Sequence, residues 1–293
     1  MSDDETKAQD VTMRVEANSL EGLRALAEAG LLNDGGNELC ASWVQKTDER
    51  VAFNDSGKVT TLNLGGMRLR KGLPCGPVVF QNFSALSSLN LGGTDLPMAD
   101  IAEVLGYLGA IESLHLSGNG LGDDGAKQIA AWLETTKPKH LIKLDLRYND
   151  IGGTGMEALC CEGLLHTNVA YWHMEGNRIG DDGCAALSKG LLLPDFKLQE
   201  LFLGANQIGP DGAIHLAAAL KHNNNSLLSK LYLEGNHIGH TGATAMAEAL
   251  EALDGMATLK NLFMDNNNIG KEGSERLAKA LNSATAIPDT INE

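Results

Sequence analysis

The side chains that could take part in catalysis in this 293-residue sequence are few and scattered. Cys160 and Cys161 are adjacent and could form a redox pair, and residues 152–155 stand where a phosphate-binding loop could begin a helix. Acidic residues recur before several predicted helices and could bind calcium: Asp123, Asp124, Asp181, Asp182, Asp211 and Glu272. No nucleophile motif, complete phosphate-binding motif or metal-ligand spacing accompanies them. The sequence therefore predicts no catalytic residues, no metal ion and no cofactor.

Structural explanations are available for the same residues. Acidic side chains in the first turn of a helix interact favourably with the helix dipole. Cys160 and Cys184 take helix positions held elsewhere by alanine or serine, which favours small core residues. Cys161 lies one position off this pattern and is expected to be accessible. We therefore prefer a structural role for these groups, beside the redox and calcium alternatives.

Recognition of another protein is the chemistry that the sequence supports best. Aromatic residues make up only 4% of the chain, yet four of them recur at similar intervals and predict an exposed strip: Tyr171, Phe202, Tyr232 and Phe263. One histidine and four carboxylates stand close to them: His173, Glu175, Glu200, Glu234 and Asp265. Rigid aromatic groups beside charges are typical anchors of protein interfaces, although strands favour aromatic residues generally. We predict that these residues bind a partner protein on one surface.

Internal repeats provide such a surface. The motif LxxLxLxxNxIGxxG occurs six times, with its asparagines 28 to 31 residues apart: Asn119, Asn149, Asn177, Asn206, Asn236 and Asn267. Weaker copies at residues 59–69 and 86–96 precede them, with Met67 and Thr94 in place of the asparagine. Six copies with the same punctuation predict a repeat architecture. The asparagines are expected to satisfy backbone groups of neighbouring turns rather than to bind a ligand.

Each repeat predicts one strand, one turn and one helix. Leu144 and Leu146 are two residues apart and point to one face of a strand, while Lys143, Asp145 and Arg147 point to the other. Two glycines follow the turn, and a helix begins there. The residues four and eight positions after the second glycine are mostly apolar and lie on one face of that helix. Stacked repeats form a parallel sheet with helices outside, and the wider helices curve the stack. The residues that alternate with the core leucines then line the concave face.

The motif resembles the leucine-rich repeat, specifically the long class shared by ribonuclease inhibitor, the repeat domains of NOD-like receptors and the Ran GTPase-activating protein. The resemblance covers residues 111–281 and implies an α/β leucine-rich-repeat solenoid of about eight repeats. Such a solenoid is a curved horseshoe with a parallel β-sheet on the concave face and helices on the convex face. Residues 51–64 look like a plant-type leucine-rich-repeat cap, a short hairpin before the first repeat, without its paired cysteines. The matched residues are structural, so the resemblance implies a fold rather than one function.

The chain is divided into four predicted segments: a flexible tail (1–10), a helical N-terminal cap (11–58), the solenoid (59–286) and a C-terminal tail (287–293). Within the cap, we expect one helix at residues 19–32, capped by Asn18 or Ser19, and a second at residues 36–46. The C-terminal end has no obvious dedicated cap. Either the last helix and Ile287 shield it, or a partner does.

Charge and cysteine content bear on partners and location. The chain carries 38 acidic and 23 basic side chains, for a formal net charge of −15. This balance argues against binding to nucleic acid or an anionic membrane and favours a basic partner. No apolar run approaches the roughly 18 to 20 residues of a membrane span, and no signal peptide is evident. With five cysteines and no disulfide framework, we expect a cytoplasmic protein, most simply a monomer.

Several functions fit these observations. We predict first a non-catalytic interaction module that binds a basic or amphipathic protein segment on its concave face. A regulator of a small GTPase, by resemblance to the Ran GTPase-activating protein, is the second hypothesis, with Arg147 as its contact residue. A structural subunit of a larger assembly, joined through its convex helices or its C-terminal end, is the third. Recognition of a microbial or carbohydrate ligand would require secretion and disulfides, which the sequence does not favour.

Overall fold

A single open sheet runs through the computed structural model, which describes residues 17–29, 50–165, 167–222, 227–252 and 258–284. Within these ranges nine strands follow chain order across the sheet: β1 (Val51–Phe53), β2 (Val59–Asn63), β3 (Ser88–Asn90), β4 (Ser113–His115), β5 (Lys143–Asp145), β6 (Tyr171–His173), β7 (Glu200–Phe202), β8 (Lys230–Tyr232) and β9 (Asn261–Phe263). β1 is antiparallel to β2, and every later pair is parallel. The predicted leucine-rich-repeat solenoid of about eight repeats is confirmed.

Helical elements alternate with the strands. In chain order they are α1 (Ala17–Glu28), a 3-10 helix (Pro77–Asn82), α2 (Met98–Leu105), α3 (Gly122–Thr136), α4 (Gly153–Ala158) with a π-helical turn (Leu159–Gly163), α5 (Gly180–Leu191), α6 (Pro210–His222), α7 (Gly239–Ala252) and α8 (Gly270–Ala284). The elements after β2 and β3 have six and eight residues, whereas α6, α7 and α8 have 13 to 15. The first two repeats are therefore built differently from the last three.

The core lies between the sheet and the helices. The residue at the leucine position of each strand from β2 to β9 is buried, and Trp172 takes this position in β6 with no exposed surface. Small residues let the helices approach each other closely. A Cβ on Gly242 would lie 2.8 Å from the Cβ of Ala213 and 2.5 Å from Cγ2 of Ile238. This close approach explains why the second glycine of the motif recurs at the start of each helix.

The motif asparagines form a hydrogen-bonded ladder between repeats. Asn149 is typical, because its Nδ2 donates to the C=O groups of Leu116 and Leu146 at 2.9 and 3.0 Å. Its Oδ1 accepts from the N–H of Asn119 at 2.9 Å. The ladder is interrupted at Asn206, whose buried Oδ1 has no hydrogen-bond partner among the described residues. Elsewhere the ladder satisfies buried backbone groups of adjacent turns.

The first helix differs from its prediction. α1 begins at Ala17 and ends at Glu28, so neither Asn18 nor Ser19 is its cap and the expected span of residues 19–32 is wrong at its start. Ser19 is buried inside α1, and its Oγ accepts a hydrogen bond from the N–H of Val59 at 3.2 Å. A contact 40 positions away along the chain thus replaces the local cap that serine usually provides.

The predicted hairpin before the first repeat is confirmed. β1 and β2 pair with each other, and the Oδ1 of Asn54 in the turn accepts from the N–H groups of Ser56 and Lys58. The other predictions for the ends of the chain lie outside the described residues. They are the tail at 1–10, the helix at 36–46, the contact of Ile287 and the tail at 287–293.

Candidate protein-binding surface

The strand register places the predicted binding residues in rows on one face of the sheet. Equivalent residues of neighbouring strands lie opposite each other, as in the pairs Phe202 with Tyr232 and Tyr232 with Phe263. Backbone bonds extend the same register past the strand ends, for example from Gly235 N–H to Asp265 C=O at 2.8 Å. In β6 to β9 three rows result: His173, Phe202, Tyr232 and Phe263; Tyr171, Glu200, Lys230 and Asn261; Glu175, Gly204, Glu234 and Asp265.

The first of these rows is a continuous stack of rings, here called the ring ladder. The centroids of His173 and Phe202 are 4.1 Å apart, those of Phe202 and Tyr232 4.2 Å, and those of Tyr232 and Phe263 4.5 Å. The ring planes are within about 10° of parallel in every pair. Tyr171 belongs to the neighbouring row, so it is not part of the ladder, and His173 takes the fourth place instead.

Stacking changes what these side chains offer to a partner. Each inner ring has both faces covered by its neighbours, so its edge is what remains accessible. The four rings are consequently half-buried, and the prediction of an exposed apolar strip is wrong in that respect. Ring edges carry partial positive charge, while ring faces attract cations. A cation therefore has little access to the ring faces of Phe202 and Tyr232.

The third row (Glu175, Gly204, Glu234 and Asp265), here called the acidic row, runs directly beside the ring ladder. Glu175 and Glu234 flank Gly204, where a Cβ would lie 3.8 Å from both Cγ of Glu175 and Oε2 of Glu234. These are ordinary contact distances, so a Cβ here would touch both acidic side chains, and its tightest neighbour would be the C=O of Glu234 at 3.3 Å. Oε2 of Glu175 and Nδ1 of His173 are buried without a hydrogen-bond partner among the described residues, and Nδ1 lies 3.7 Å from the other Glu175 oxygen. Buried polar atoms are usually hydrogen-bonded, so two unpaired atoms side by side are unusual.

The environment of Glu234 is unfavourable for a negative charge. Burial raises the pKa of its carboxyl group above the ordinary value, and the nearby carboxylates of Asp265 and Glu175 raise it further. A hydrogen bond from its own backbone N–H opposes these effects. A cation placed on the acidic row would relieve the repulsion among the three carboxylates.

Glu200 contributes less to this negative charge than the sequence suggests. Its Oε1 lies 2.9 Å from Nζ of Lys230, the next residue in its row. The pKa of Lys230 is raised by this contact. The pair is neutral overall, so the excess negative charge of the surface resides in Glu175, Glu234 and Asp265.

The N-terminal half of the same face bonds to itself. Asp145 is 1% exposed, and its oxygens accept from Nε and Nη2 of Arg147 at 3.0 and 2.7 Å. His115 adds a contact from Nδ1 at 3.3 Å. Burial would raise the pKa of Asp145, but the hydrogen bonds from His115 and Arg147 outweigh it and hold the pKa well below its ordinary value. Arg147 is thus committed to a buried carboxylate.

The turn carboxylates have hydrogen-bond partners that bear on two alternatives considered above, a phosphate-binding loop and a calcium site. Asp123 Oδ1 accepts from the N–H groups of Gly152 and Gly155 at 2.7 and 3.0 Å. Asp181 Oδ1 makes the equivalent bonds in a later repeat, to Gly209 and Gly212. The amides that could have held a phosphate are therefore occupied by a carboxylate of the preceding repeat. In the described part of the chain, no cluster of three or more His, Cys, Asp or Glu residues could hold a metal ion.

The thiols are not activated for nucleophilic chemistry. Cys160 and Cys184 are buried, and burial raises the pKa of each thiol well above its ordinary value. Cys161 is exposed, as expected, and burial of part of its side chain also raises its pKa. Reactive cysteines have lowered pKa values, so this environment favours structural thiols.

Tyr148 is an exposed residue that the sequence predictions did not single out. Its side chain is 63% exposed, and its φ of 54° lies in the left-handed region that disfavours bulky residues. Gly118, Gly176 and Gly235 hold the equivalent slot in other repeats, also with positive φ. The exchange of glycine for tyrosine is visible in the motif alignment and could have identified the position. Ala205 and Asn266 hold the same slot in two further repeats with φ of 54° and 57°, so the left-handed conformation is a property of the repeat.

Comparison with known proteins agrees with the fold. A family model described as "Leucine Rich repeat" matches residues 111–130, 137–160, 166–188 and 224–247. "NACHT, LRR and PYD domains-containing protein 5" of Bos taurus is 31% identical over 178 residues, covering 57% of this chain and 16% of that protein. "Ribonuclease inhibitor" of Sus scrofa is 27% identical over 177 residues, covering 50% of this chain and 38% of the inhibitor. The chain thus matches well under half the length of these relatives.

A solved structure titled "Leiomodin-1 Actin-Binding Site 2 (ABS2)" aligns with a TM-score of 0.40 and 14% identity, over 64% of this chain and 90% of that one. A similarity at this level does not define a shared fold. None of the helices in the described ranges has the length and apolar character needed to cross a lipid bilayer. The repeat motif, the parallel sheet and the matched repeats together establish that the chain is a leucine-rich-repeat protein of the ribonuclease-inhibitor-like class.

Proposed function

We propose that this protein is a non-catalytic interaction module that binds a basic or amphipathic segment of another protein on its concave face. Leucine-rich repeats of this kind are generally protein-binding modules. The observation that carries the finer proposal is the acidic row beside the ring ladder. Its Glu175 oxygen and the adjacent His173 nitrogen lack hydrogen-bond partners among the described residues, although both atoms are buried.

The two rows would divide the work of recognition. The ring ladder offers a rigid apolar edge that loses little conformational entropy on binding. The carboxylates of Glu175, Glu234 and Asp265 would pair with Lys or Arg of the partner, which steers association and selects basic segments. Since both features lie in β6 to β9, the proposed site occupies the C-terminal half of the face. The net charge of −15 would assist the approach of a basic partner.

Affinity capture from native lysate, with identification by mass spectrometry, tests the proposal. The informative variant combines Glu175→Gln, Glu234→Gln and Asp265→Asn, because it removes three charges while leaving the ring ladder intact. We expect a basic protein captured by the wild type to be lost with this variant. The matched control combines Glu134→Gln, Glu157→Gln and Glu162→Gln, which removes the same charge from exposed positions on the helices.

A second variant, Phe202→Ala with Tyr232→Ala, tests the ring ladder itself. We expect it to abolish capture of the same protein. Circular dichroism must first show that the variant is folded, because both rings contribute stacking contacts. An unchanged set of captured proteins with both the ladder and the acidic-row variants would exclude this surface.

The alternative of a GTPase regulator receives less support from the geometry. Arg147, its expected contact residue, is bonded through two nitrogens to the buried Asp145. An arginine that contacts a partner's nucleotide site would have to leave that buried carboxylate with only His115 beside it. The test remains simple: Arg147→Lys should leave any stimulated GTP hydrolysis unchanged if the residue is structural.

A further inference from the structure

The last strand of the sheet ends the described stack with an open edge. β9 pairs with β8 on one side and with no other described strand on the other. Asn261 N–H donates to the C=O of Ser229, and the C=O groups of Phe263 and Asp265 accept from the N–H groups of Leu233 and Gly235, which follow β8. Because these groups alternate along a strand, the N–H and C=O of Leu262 and the N–H of Met264 face outward. Such an edge is a template for pairing with another strand.

An apolar cavity of about 510 Å³ lies behind this edge. Its apolar lining comes from the strand and from α8: Leu262, Met264, Ile269, Leu277 and Leu281. On the opposite face of the sheet, Phe263 is the last ring of the ladder, and its outer face meets no further ring among the described residues. Among the described residues, the sheet, the core and the ring ladder therefore all have an open end at the same place.

The sequence of β9 is complementary to itself when two copies run antiparallel. With Phe263 opposite Phe263 of a second copy, Leu262 lies opposite Met264 and Asn261 opposite Asp265. Directly opposed residues of antiparallel strands lie on the same face, so this register keeps apolar side chains on the core side and polar ones on the concave side. It also lets Met264 N–H of each copy donate to Leu262 C=O of the other, using the groups that face outward.

Charge favours the same pairing. Residues 258–284 carry four basic and three acidic side chains, in a chain whose formal net charge is −15: Lys260, Lys271, Arg276 and Lys279 against Asp265, Glu272 and Glu275. Two copies brought together at this end experience little like-charge repulsion, in contrast to two copies meeting through their acidic surfaces. The outer strand edge is thus suited to a second copy of the same chain.

We propose that two copies of this protein form a symmetric dimer through antiparallel pairing of their β9 strands, centred on Phe263. The dimer continues the sheet across a two-fold axis and joins the two ring ladders into one stack of eight rings. It extends the apolar core of each copy over the cavity of the other. The interface is isologous, so it closes after two copies instead of growing into a filament. It differs from the monomer that the sequence suggests, and it does not depend on the proposed partner of the concave face.

Sedimentation equilibrium of the full chain at several concentrations tests the dimer. The wild type should show a reversible monomer–dimer equilibrium. Phe263→Lys alone and Phe263→Glu alone should each be monomeric, because like charges then oppose each other at the two-fold axis. A one-to-one mixture of the two variants should recover the dimer through a charge pair at that point. Ile214→Lys, at an exposed apolar position of α6, is the control and should not abolish dimerisation.

Other occupants of the edge give different results. A wild type that stays monomeric at all concentrations overturns the proposal. So does a wild type that becomes dimeric only after deletion of residues 285–293, since the chain's own C-terminal segment is then the occupant. A dimer that persists with Phe263→Lys, or a mixture of the charge variants that stays monomeric, rules out the Phe263 register. Recovery of the dimer by the mixture supports it, whatever the lysate captures show.

Discussion

The two halves of the concave face share one backbone and differ in how their side chains are satisfied. In β2 to β5 the central row is polar and bonds to the chain itself: Asn63 and Asn90 accept from backbone N–H groups two residues on, and Asp145 is held by Arg147 and His115. In β6 to β9 the same row holds stacked rings, and the neighbouring row leaves a buried carboxylate oxygen without a partner. Identical register thus goes with paired polar atoms in one half and with stacked rings beside an unpaired carboxylate oxygen in the other.

The difference has a physical cause in the residue types. A polar side chain in the central row can accept a hydrogen bond from the backbone N–H two residues later, as Asn90 does at 2.8 Å. Both the side chain and that N–H are then satisfied. An aromatic ring cannot accept in this way, so it stacks on its neighbour instead. In the row beside the rings, Oε1 of Glu175 lies 3.7 Å from Nδ1 of His173, while its Oε2 is buried without a hydrogen-bond partner among the described residues.

The largest expected effect concerns the N-terminal half of the face. Arg147→Ala should lower the free energy of unfolding by about 2 to 3 kcal/mol, because it leaves the buried Asp145 carboxylate with one fewer charged partner. Arg178→Ala is the control: its ion pair with Asp150 is exposed on both sides and should contribute less than about 0.5 kcal/mol. Urea denaturation measures both values. Equal effects of the two variants would contradict the structural role of Arg147.

The next effect concerns the ring ladder. Phe202→Ala removes two stacking contacts and should lower the free energy of unfolding by about 1 to 3 kcal/mol. Tyr171→Ala removes a ring on the same face of the sheet but outside the ladder. It should lower the free energy of unfolding by less than about 1 kcal/mol. Thermal and urea unfolding compare the two variants. If the tyrosine variant is the less stable one, the stack does not support the C-terminal half.

Tyr148 should gain stability when its side chain is removed. Tyr148→Gly relieves a left-handed backbone conformation and should raise the free energy of unfolding by about 0.5 to 1 kcal/mol. The reverse change, Gly118→Ala, places a side chain in the equivalent slot and should destabilise by about 1 kcal/mol. A gain in stability combined with loss of partner capture would assign Tyr148 to binding. A loss of stability on Tyr148→Gly would contradict the strain.

The smallest effect sharpens the contrast through pH. The pKa of Asp145 is lowered in the folded protein, so its contribution to stability is present above the unfolded value of about 3.9 and is lost as the pH falls. The pKa of Glu234 is raised, so its carboxylate weakens the fold as the pH rises through the raised value. At neutral pH, Glu234→Gln should therefore raise the free energy of unfolding by a few tenths of a kcal/mol, whereas Asp145→Asn should lower it.

Urea unfolding of both variants at neutral pH and near pH 4 separates these cases. The stability difference between wild type and Asp145→Asn should only begin to shrink near pH 4 and should shrink further at lower pH, because the carboxyl group of the unfolded chain protonates there. The gain from Glu234→Gln should also shrink, because the wild-type carboxyl group is then protonated. A gain that persists at low pH would mean that repulsion among the carboxylates is not its cause.

Much of the site follows from the repeat spacing alone. The alternation around Leu201 and Leu231 assigns Phe202 and Tyr232 to one row, and the register of the strands agrees. The membership of His173 in the ring ladder and the exclusion of Tyr171 are visible in the same alignment, once rows rather than residue types are compared. The exposure of these rings could not be predicted, because it depends on how neighbouring rings turn towards each other.

The sequence by itself determined the architecture, because a repeated pattern of leucine, asparagine and glycine leaves each repeat able to bury its apolar face only against another. It also determined which residues share a row. Only the tertiary structure decided which charged side chains pair with each other within the protein, since ion pairs such as Glu200 with Lys230 join residues 30 positions apart. It decided too that the last strand edge, the cavity and the final ring coincide. These properties depend on distances between side chains of different repeats, which the order of residues along the chain does not contain.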